Sequence, residues 1–311
     1  MTEKITPDGR AYIQTQGLSK KYHQVLAVDQ VDFHIRQGDI YGLIGKNGAG
    51  KTTLFKLLLG LTMATSGKIS LFGETTREGK RKALKQIGSF IGTGFFPYLS
   101  AGENLQYYCI TKGIKDPKKE IQRLLDVVGL QDNKKPFSAF SMGMKQRLGL
   151  AGALIGAPKM ILLDEPVNGL DPEGIKEIRT IITQLNQQEG ITFVISSHIL
   201  SELEMMATTF GFLDKGKLIK EVTSQQVHQH TEGILMMVSD IDLAKKILNE
   251  TMNIPFEKMI TNKEKELILQ EVQIPTNLIA KTLIEGQVDL FALQPMSHTL
   301  EEFFFNLIER D

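Results

Sequence analysis

Between Val25 and Ile35 the apolar side chains alternate around Val28, Val31, Phe33 and Ile35, which predicts a half-buried strand, and Ala11 to Thr15 predicts another before it. Ile40-Tyr41-Gly42-Leu43-Ile44 is apolar without alternation, the pattern of a strand covered on both faces. Leu54-Phe55-Lys56-Leu57-Leu58-Leu59 then predicts an apolar helix. Lys68 to Phe72 and Ile87 to Ile91 read as strands around a helix at Lys80 to Gln86. Residues 101 to 157 predict helices, broken at Gly113 to Pro117 and at Gln131 to Pro136. Strand and helix alternate again through Met160 to Leu163, Glu173 to Gln188, Ile191 to Ile195 and Ile199 to Met206. A hairpin is predicted around Lys215-Gly216. Such alternation implies an α/β core with a largely parallel, covered sheet, here interrupted by a helical insertion.

The pattern shifts after about residue 224. Val227-His228-Gln229-His230-Thr231 is polar and predicts a linker. Beyond it the expected order is strand 234–238, helix 241–250, strands 256–260 and 266–272, helix 277–286, strand 288–293 and helix 300–308. Asp240 is expected to cap the first of these helices and Pro275 to open the second, while Thr299 with Glu302 makes a capping box for the last. The order βαββαβ predicts a small α+β, ferredoxin-like module, and no catalytic constellation stands in it. The expected domains are therefore 11–224, with a helical subdomain at about 101–157, and 231–311.

Chemistry enters at the turn between the buried strand and the apolar helix. Gly45, Lys46, Asn47, Gly48, Ala49, Gly50, Lys51 and Thr52 form a complete phosphate-binding loop, with Thr53 next along the chain. Glycines let the chain wrap a polyphosphate so that successive N–H groups point at its oxygens. Lys51 adds a point charge near the β and γ phosphates, the Thr52 hydroxyl can ligate Mg²⁺, and the helix presents its positive end to the same anion. A nucleoside triphosphate is the implied ligand. A second motif, Ile161-Leu162-Leu163-Asp164-Glu165-Pro166, delivers two carboxylates at the end of an apolar strand, where ligands collect in open α/β sheets. Asp164 suits an outer or water-mediated contact to Mg²⁺, and Glu165 suits polarising the water that attacks the γ-phosphate.

Composition narrows the setting. Lys plus Arg and Asp plus Glu are both 36, so no net charge favours nucleic acid, and none is expected as a partner. One cysteine, Cys109, rules out an internal disulfide framework and fits a reducing compartment. No apolar stretch approaches the length of a membrane span, and a soluble chain is expected.

With these motifs in place the chain resembles the nucleotide-binding subunits of ATP-binding cassette (ABC) transporters over about residues 11 to 222. Phe140-Ser141-Met142-Gly143-Met144-Lys145-Gln146-Arg147 resembles the family's signature stretch, with Met142 in place of a glycine and Met144 of a glutamine. The resemblance implies an ABC-type P-loop NTPase core whose cofactors are ATP and Mg²⁺. It implies that Ser141 and Gly143 bind the γ-phosphate of ATP held by a second subunit, that His198 is the switch histidine contacting that phosphate, and that Tyr22 stacks on adenine. Asn168-Gly169-Leu170-Asp171 resembles the D-loop. The family places a glutamine or glutamate after the strand ending near Ile91, where this chain has Gly92, so slower or more partner-dependent hydrolysis is expected. Phe95, Phe96, Pro97 and Tyr98 form an apolar lip in the region that receives a transmembrane subunit in the family, placing permease docking near Gly92 to Ser100. Local words here, in the signature stretch and in Leu300-Glu301-Glu302-Phe303-Phe304 resemble bacterial exporters of bacitracin and lantibiotic-type peptides.

The expected protein is an ATPase subunit that drives export through a separate membrane protein, seated at the inner face of the cell membrane and paired with a second ATP-binding subunit, identical or not. Its expected catalytic residues are Lys51, Glu165 and His198, with Thr52 and Asp164 serving the metal. A soluble ABC ATPase, or an ATP-dependent regulatory module with weak hydrolysis, stays open at this point.

Overall fold

A computed structural model describes residues 11–92, 94–229, 231–262, 266–270, 274–297 and 300–301. It divides into two compact units between Val222 and Thr223. The first begins with β1 (Ala11–Tyr22), β2 (Val25–Val31), β3 (His34–Arg36) and β4 (Ile40–Ile44), followed by α1 (Lys51–Leu58), β5 (Ser66–Leu71), α2 (Arg77–Leu84) and β6 (Ile87–Phe90). The helical insertion is α3 (Ala101–Thr111), α4 (Pro117–Val127), a 3₁₀ turn at Phe137–Ala139 and α5 (Met142–Leu154). The core resumes with β7 (Met160–Asp164), α6 (Pro172–Glu189), β8 (Thr192–Ser197), α7 (Leu200–Glu204), β9 (Thr209–Asp214) and β10 (Lys217–Thr223).

Two sheets pack in this unit. Six strands run in the order β10-β9-β4-β8-β7-β6, with the pairs from β9 to β6 parallel. The chain from β4 to β9 therefore crosses repeatedly from one strand to a parallel neighbour, as the alternating pattern demands. The second sheet is antiparallel: β1 pairs with β2, β3 and β5. Phe33, Tyr41, Phe55, Leu43 and Val194 bury fully in the shared core, each side chain stabilising the fold by about 1.5–3 kcal/mol.

Two strand expectations change here. Val25 to Ile35 is two strands, because the chain turns out at Asp32, whose Oδ1 accepts from the Gly17 N–H at 2.6 Å. The first strand runs on past Thr15 to Tyr22, through a shift of register at Leu18 to Lys20.

In the second unit α8 (Ser224–Gln229) precedes β11 (Thr231–Val238), α9 (Ile241–Met252), β12 (Met259–Thr261), β13 (Leu267–Gln270), α10 (Thr276–Glu285) and β14 (Leu290–Ser297). The sheet order β12-β13-β11-β14 with every pair antiparallel is the split βαβ arrangement. Asp240 caps α9 by accepting from the Leu243 N–H at 3.0 Å. The predicted linker is not one: residues 224–229 are α8, residue 231 already belongs to β11, and Val227 is fully buried, so one apolar side chain anchors the stretch. The strand expected at 256–260 is a 3₁₀ turn at Phe256–Lys258 followed by the short β12, since Pro255 opens a turn. Of the helix expected at 300–308 only Leu300 and Glu301 are described; its capping pair Thr299 and Glu302 lies outside the described residues.

Candidate functional site

The ends of β4, β7 and β8 share one edge of the parallel sheet, with Ile44 paired to Ser197 and Asp164 to Ser196. Between β4 and α1 the phosphate loop turns through left-handed backbone at Gly48 (φ 84°) and Gly50 (φ 110°). Glycine is required at Gly50, because a Cβ there would strike the Ala27 carbonyl. A Cβ on Gly45 would meet the Leu213 carbonyl oxygen at 2.5 Å. Lys51, only 6% exposed, folds its ammonium back over the loop and donates to the carbonyls of Gly45 (2.6 Å) and Lys46 (3.4 Å).

The same ammonium lies 3.1 Å from Glu165 Oε1, and the other oxygen of that carboxylate lies 2.7 Å from His198 Nδ1. Lys51, Glu165 and His198 thus form a continuous chain of charge-assisted contacts across the sheet edge. Thr52 Oγ1 donates to Asp164 Oδ2 at 2.7 Å, so the two expected metal ligands already face each other. A hydroxyl and a carboxylate offer an all-oxygen donor set, which suits Mg²⁺ with the remaining positions left to phosphate and water.

One organiser of this edge lies outside the motifs. Ser196, fully buried in β8, donates from Oγ to Asp164 Oδ1 at 2.6 Å and accepts from the Glu165 N–H at 3.0 Å. It therefore fixes the Asp164 carboxylate and the Glu165 backbone at once. Glu165 pays for its orientation with a left-handed φ of 53°, a conformation costing a non-glycine residue about 1–2 kcal/mol. The Ser196 hydrogen bond helps to hold it there. The pair Ser196-Ser197 closing an apolar strand was the available hint.

Ser141 and Gly143 are not brought to this cluster. Ser141 caps α5, accepting from the Met144 N–H at 3.3 Å, and its exposed side chain lines a separate groove of about 510 Å³ with Gly143, Gly169 and Asp171. Asp171 caps α6 by accepting from the Gly174 N–H at 3.0 Å, with Pro172 in the first turn. The first turn of α5 thus borders this groove in a single copy of the chain, with its Met144 N–H taken up by Ser141. Tyr22 ends β1 with a 41% exposed ring; Lys20 Nζ sits 4.7 Å from its centroid and its hydroxyl is 3.5 Å from Thr62 Oγ1. One face of the phenol is therefore covered by a cation from its own strand.

Gly92 is exposed at φ 71°, with no atom within 4 Å of where a Cβ would stand. Thr93 lies outside the described residues. The four-residue apolar lip divides. Phe95 turns inward, its ring 5.3 Å from Phe137 and 5.5 Å from Tyr108, whereas Tyr98 is 72% exposed and Phe96 stacks edge-on with Tyr107 at 4.9 Å. A second residue the motifs did not reveal, the buried Asn104, fastens this loop. Its Oδ1 accepts from the Phe96 N–H, and its Nδ2 donates to the carbonyls of Phe96, Leu99 and Ser100 at 3.0–3.2 Å.

A parallel sheet whose edge presents a phosphate loop, a paired hydroxyl and carboxylate, and a second carboxylate held between lysine and histidine defines a P-loop nucleoside-triphosphatase cassette. The model of the ABC transporter family matches residues 28–168. An uncharacterized ABC transporter ATP-binding protein of Bacillus subtilis, YcbN, is 40% identical over 95% of this chain and 96% of its own length. The bacitracin transport ATP-binding protein BcrA of Bacillus licheniformis is 38% identical over 95% of this chain and 97% of its own. Among solved structures, a dimeric ATP-binding cassette, MJ0796, in a post-hydrolysis state bound to ADP and Pi superposes with a TM-score of 0.62 over 68% of this chain and 98% of that one, at 22% identity, a likeness of fold. The chain belongs to the ATP-binding proteins of ABC transporters: it is an ATPase, and its nucleotide is ATP with Mg²⁺. Among the described residues no helix is long and apolar enough to cross a membrane.

Proposed function

We propose that this ATPase powers export of a peptide antibiotic or similar amphipathic compound through a separate membrane permease, from the inner face of the cell membrane. Likeness to a bacitracin transport protein over nearly the whole of both chains supports the substrate class. In this reading Lys51 and the amides of residues 46–52 hold the β and γ phosphates, Thr53 extends that contact, and Tyr22 receives adenine on its open face. Thr52 and Asp164 would hold Mg²⁺, which would supply positive charge against the phosphates. Lys51 exchanges Glu165 for phosphate when ATP arrives, since one ammonium cannot keep the carboxylate and serve the γ-phosphate equally. The released Glu165 then accepts the proton of the attacking water, and His198 moves from the carboxylate to the γ-phosphate. Positioning and electrostatics supply nearly all of such a reaction.

The observation that carries the reading is the separation of the site into two halves. The Lys51–Glu165–His198 chain sits at one sheet edge, while Ser141 and Gly143 line a separate groove. Two copies of the chain, closed face to face, would complete each ATP site with Ser141 and Gly143 of the opposite copy. Exposed Tyr98 with Phe96 and Tyr107 offers the permease an aromatic seat, while the half-buried Phe95 packs against Phe137 and Tyr108. Hydrolysis measured with and without the co-purified membrane protein tests the assignment. Stimulation by the permease is expected; a rate indifferent to it would count against transport.

A further inference from the structure

A cavity of about 900 Å³ opens between the C-terminal end of α1, β5 and the start of α2, apart from the phosphate loop. Leu57 and Ile69 give it an apolar floor, and Lys68, Arg77 and Lys80 stand on its wall with no aspartate or glutamate among the lining residues. None of these three cations has an ion pair among the described residues, although the Glu74 carboxylate lies against the first turn of α2. The volume lies in the range of about 300–1,000 Å³ typical of small-molecule sites. An apolar floor beneath unpaired cations matches one ligand chemistry: an organic anion with an apolar body and phosphate, sulfonate or carboxylate groups.

One wall of the cavity is the segment Thr62-Met63-Ala64. That segment is fastened to the end of β1 from its other side. Lys20 Nζ donates to the Met63 carbonyl at 2.8 Å, Thr65 N–H donates to the Ser19 carbonyl at 2.8 Å, and Lys21 N–H donates to Thr65 Oγ1 at 3.0 Å. Tyr22 Oη reaches Thr62 Oγ1 at 3.5 Å. A molecule seated against this wall therefore restrains the strand end that presents the Tyr22 ring.

We infer that the cavity is a regulatory site for an amphipathic organic anion, which steadies Tyr22 through residues 62–65 and tightens ATP binding. The site stands on the cavity and its cations; only the coupling rests on the proposed stacking of adenine on Tyr22. The probe is 8-anilino-1-naphthalenesulfonate, titrated by fluorescence into the full chain with Mg²⁺ and saturating ATP so that the phosphate loop is filled. Saturable binding is expected, weakened about tenfold by the triple charge reversal Lys68→Glu/Arg77→Glu/Lys80→Glu, in keeping with three modest exposed pairings. Ala64→Trp, which sets a bulky ring on the cavity wall and keeps all three cations, is expected to weaken it as well and guards against misfolding of the triple variant. Unchanged probe affinity in both variants overturns the site. With the probe bound at subsaturating ATP, the ATP dissociation constant of the wild type should fall about fivefold, the low end of ordinary coupling. If it does not, while Tyr22→Ala still weakens ATP binding, the coupling is overturned; if Tyr22→Ala leaves ATP binding unchanged, the adenine placement fails instead.

Discussion

Replacing Glu165 by glutamine separates catalysis from binding, because the two carboxylate oxygens have different partners. Oε1 lies 3.1 Å from the Lys51 ammonium and Oε2 lies 2.7 Å from His198 Nδ1. Glutamine has the same shape, can still accept from Lys51 through its carbonyl oxygen, and can donate from its amide toward His198. Lys51 also keeps the Gly45 and Lys46 carbonyls. The ion pair is part-exposed on the Glu165 side, so its loss should cost stability no more than about 1 kcal/mol. The chemical step loses its proton acceptor, typically worth about 10²–10⁴ in rate, or about 3–5 kcal/mol of barrier. Phosphate release at saturating ATP and Mg²⁺ should therefore fall by two to four decades, while a fluorescent ATP analogue binds at least as well as to the wild type. Gel filtration with ATP should show the variant at twice its 34.8 kDa mass, because closed dimers no longer turn over. Turnover within tenfold of the wild type would refute the role given to Glu165.

Ser196→Ala removes the hydroxyl that joins the Asp164 carboxylate to the Glu165 backbone and takes a partner from a part-buried carboxylate oxygen; thermal unfolding should report a loss of about 1 kcal/mol, and turnover should drop more than ATP affinity. In Gly50→Ala the new methyl strikes the Ala27 carbonyl at a left-handed φ, so ATP binding by isothermal titration should vanish while far-ultraviolet circular dichroism stays near wild type. Tyr41→Phe deletes a hydroxyl that donates to Glu221 Oε1 at 2.6 Å. Burial pushes the Glu221 carboxyl above its ordinary 4.5, so the fold holds this proton to higher pH than the unfolded chain, and ionising Glu221 costs stability as pH rises through the folded value. The Tyr41 hydroxyl offsets that cost, and denaturant titrations should show the variant about 1–3 kcal/mol weaker at neutral pH but nearer the wild type below pH 4.5, where the carboxyl is protonated in both states.

What the chain discloses by itself follows the range of the interactions involved. The β4–loop–α1 turn and Asp164-Glu165 are legible because each motif is contiguous and its neighbours set its secondary structure. Ser141 and Tyr22 stand out only through family resemblance, since nothing within a few residues distinguishes them from a helix cap and a strand tyrosine, whereas His198 is also set apart by its place at the end of an apolar strand. Ser196 and Asn104 escaped notice for a related reason: their partners lie 31–32 and 4–8 residues away, and a lone polar residue in an apolar strand or helix has no periodic signature. Val227 turned a polar stretch into structure by burying one side chain, which composition does not reveal. The division of the aromatic lip into a half-buried Phe95 and an exposed Tyr98 likewise depends on Phe137 and Tyr108, which reach the loop from other elements.

That one ATP site needs two copies of the chain is tested most directly by mixing two disabled variants. Lys51→Ala spoils the phosphate loop and leaves Ser141 intact; Ser141→Ala does the reverse. Each alone should hydrolyse ATP poorly. In a mixed pair both defects fall in one site, and the other site joins an intact phosphate loop to an intact Ser141. Phosphate release should therefore reappear when the two purified variants are combined; a mixture as inactive as its parents, or a Ser141→Ala protein with full activity alone, would contradict the shared site.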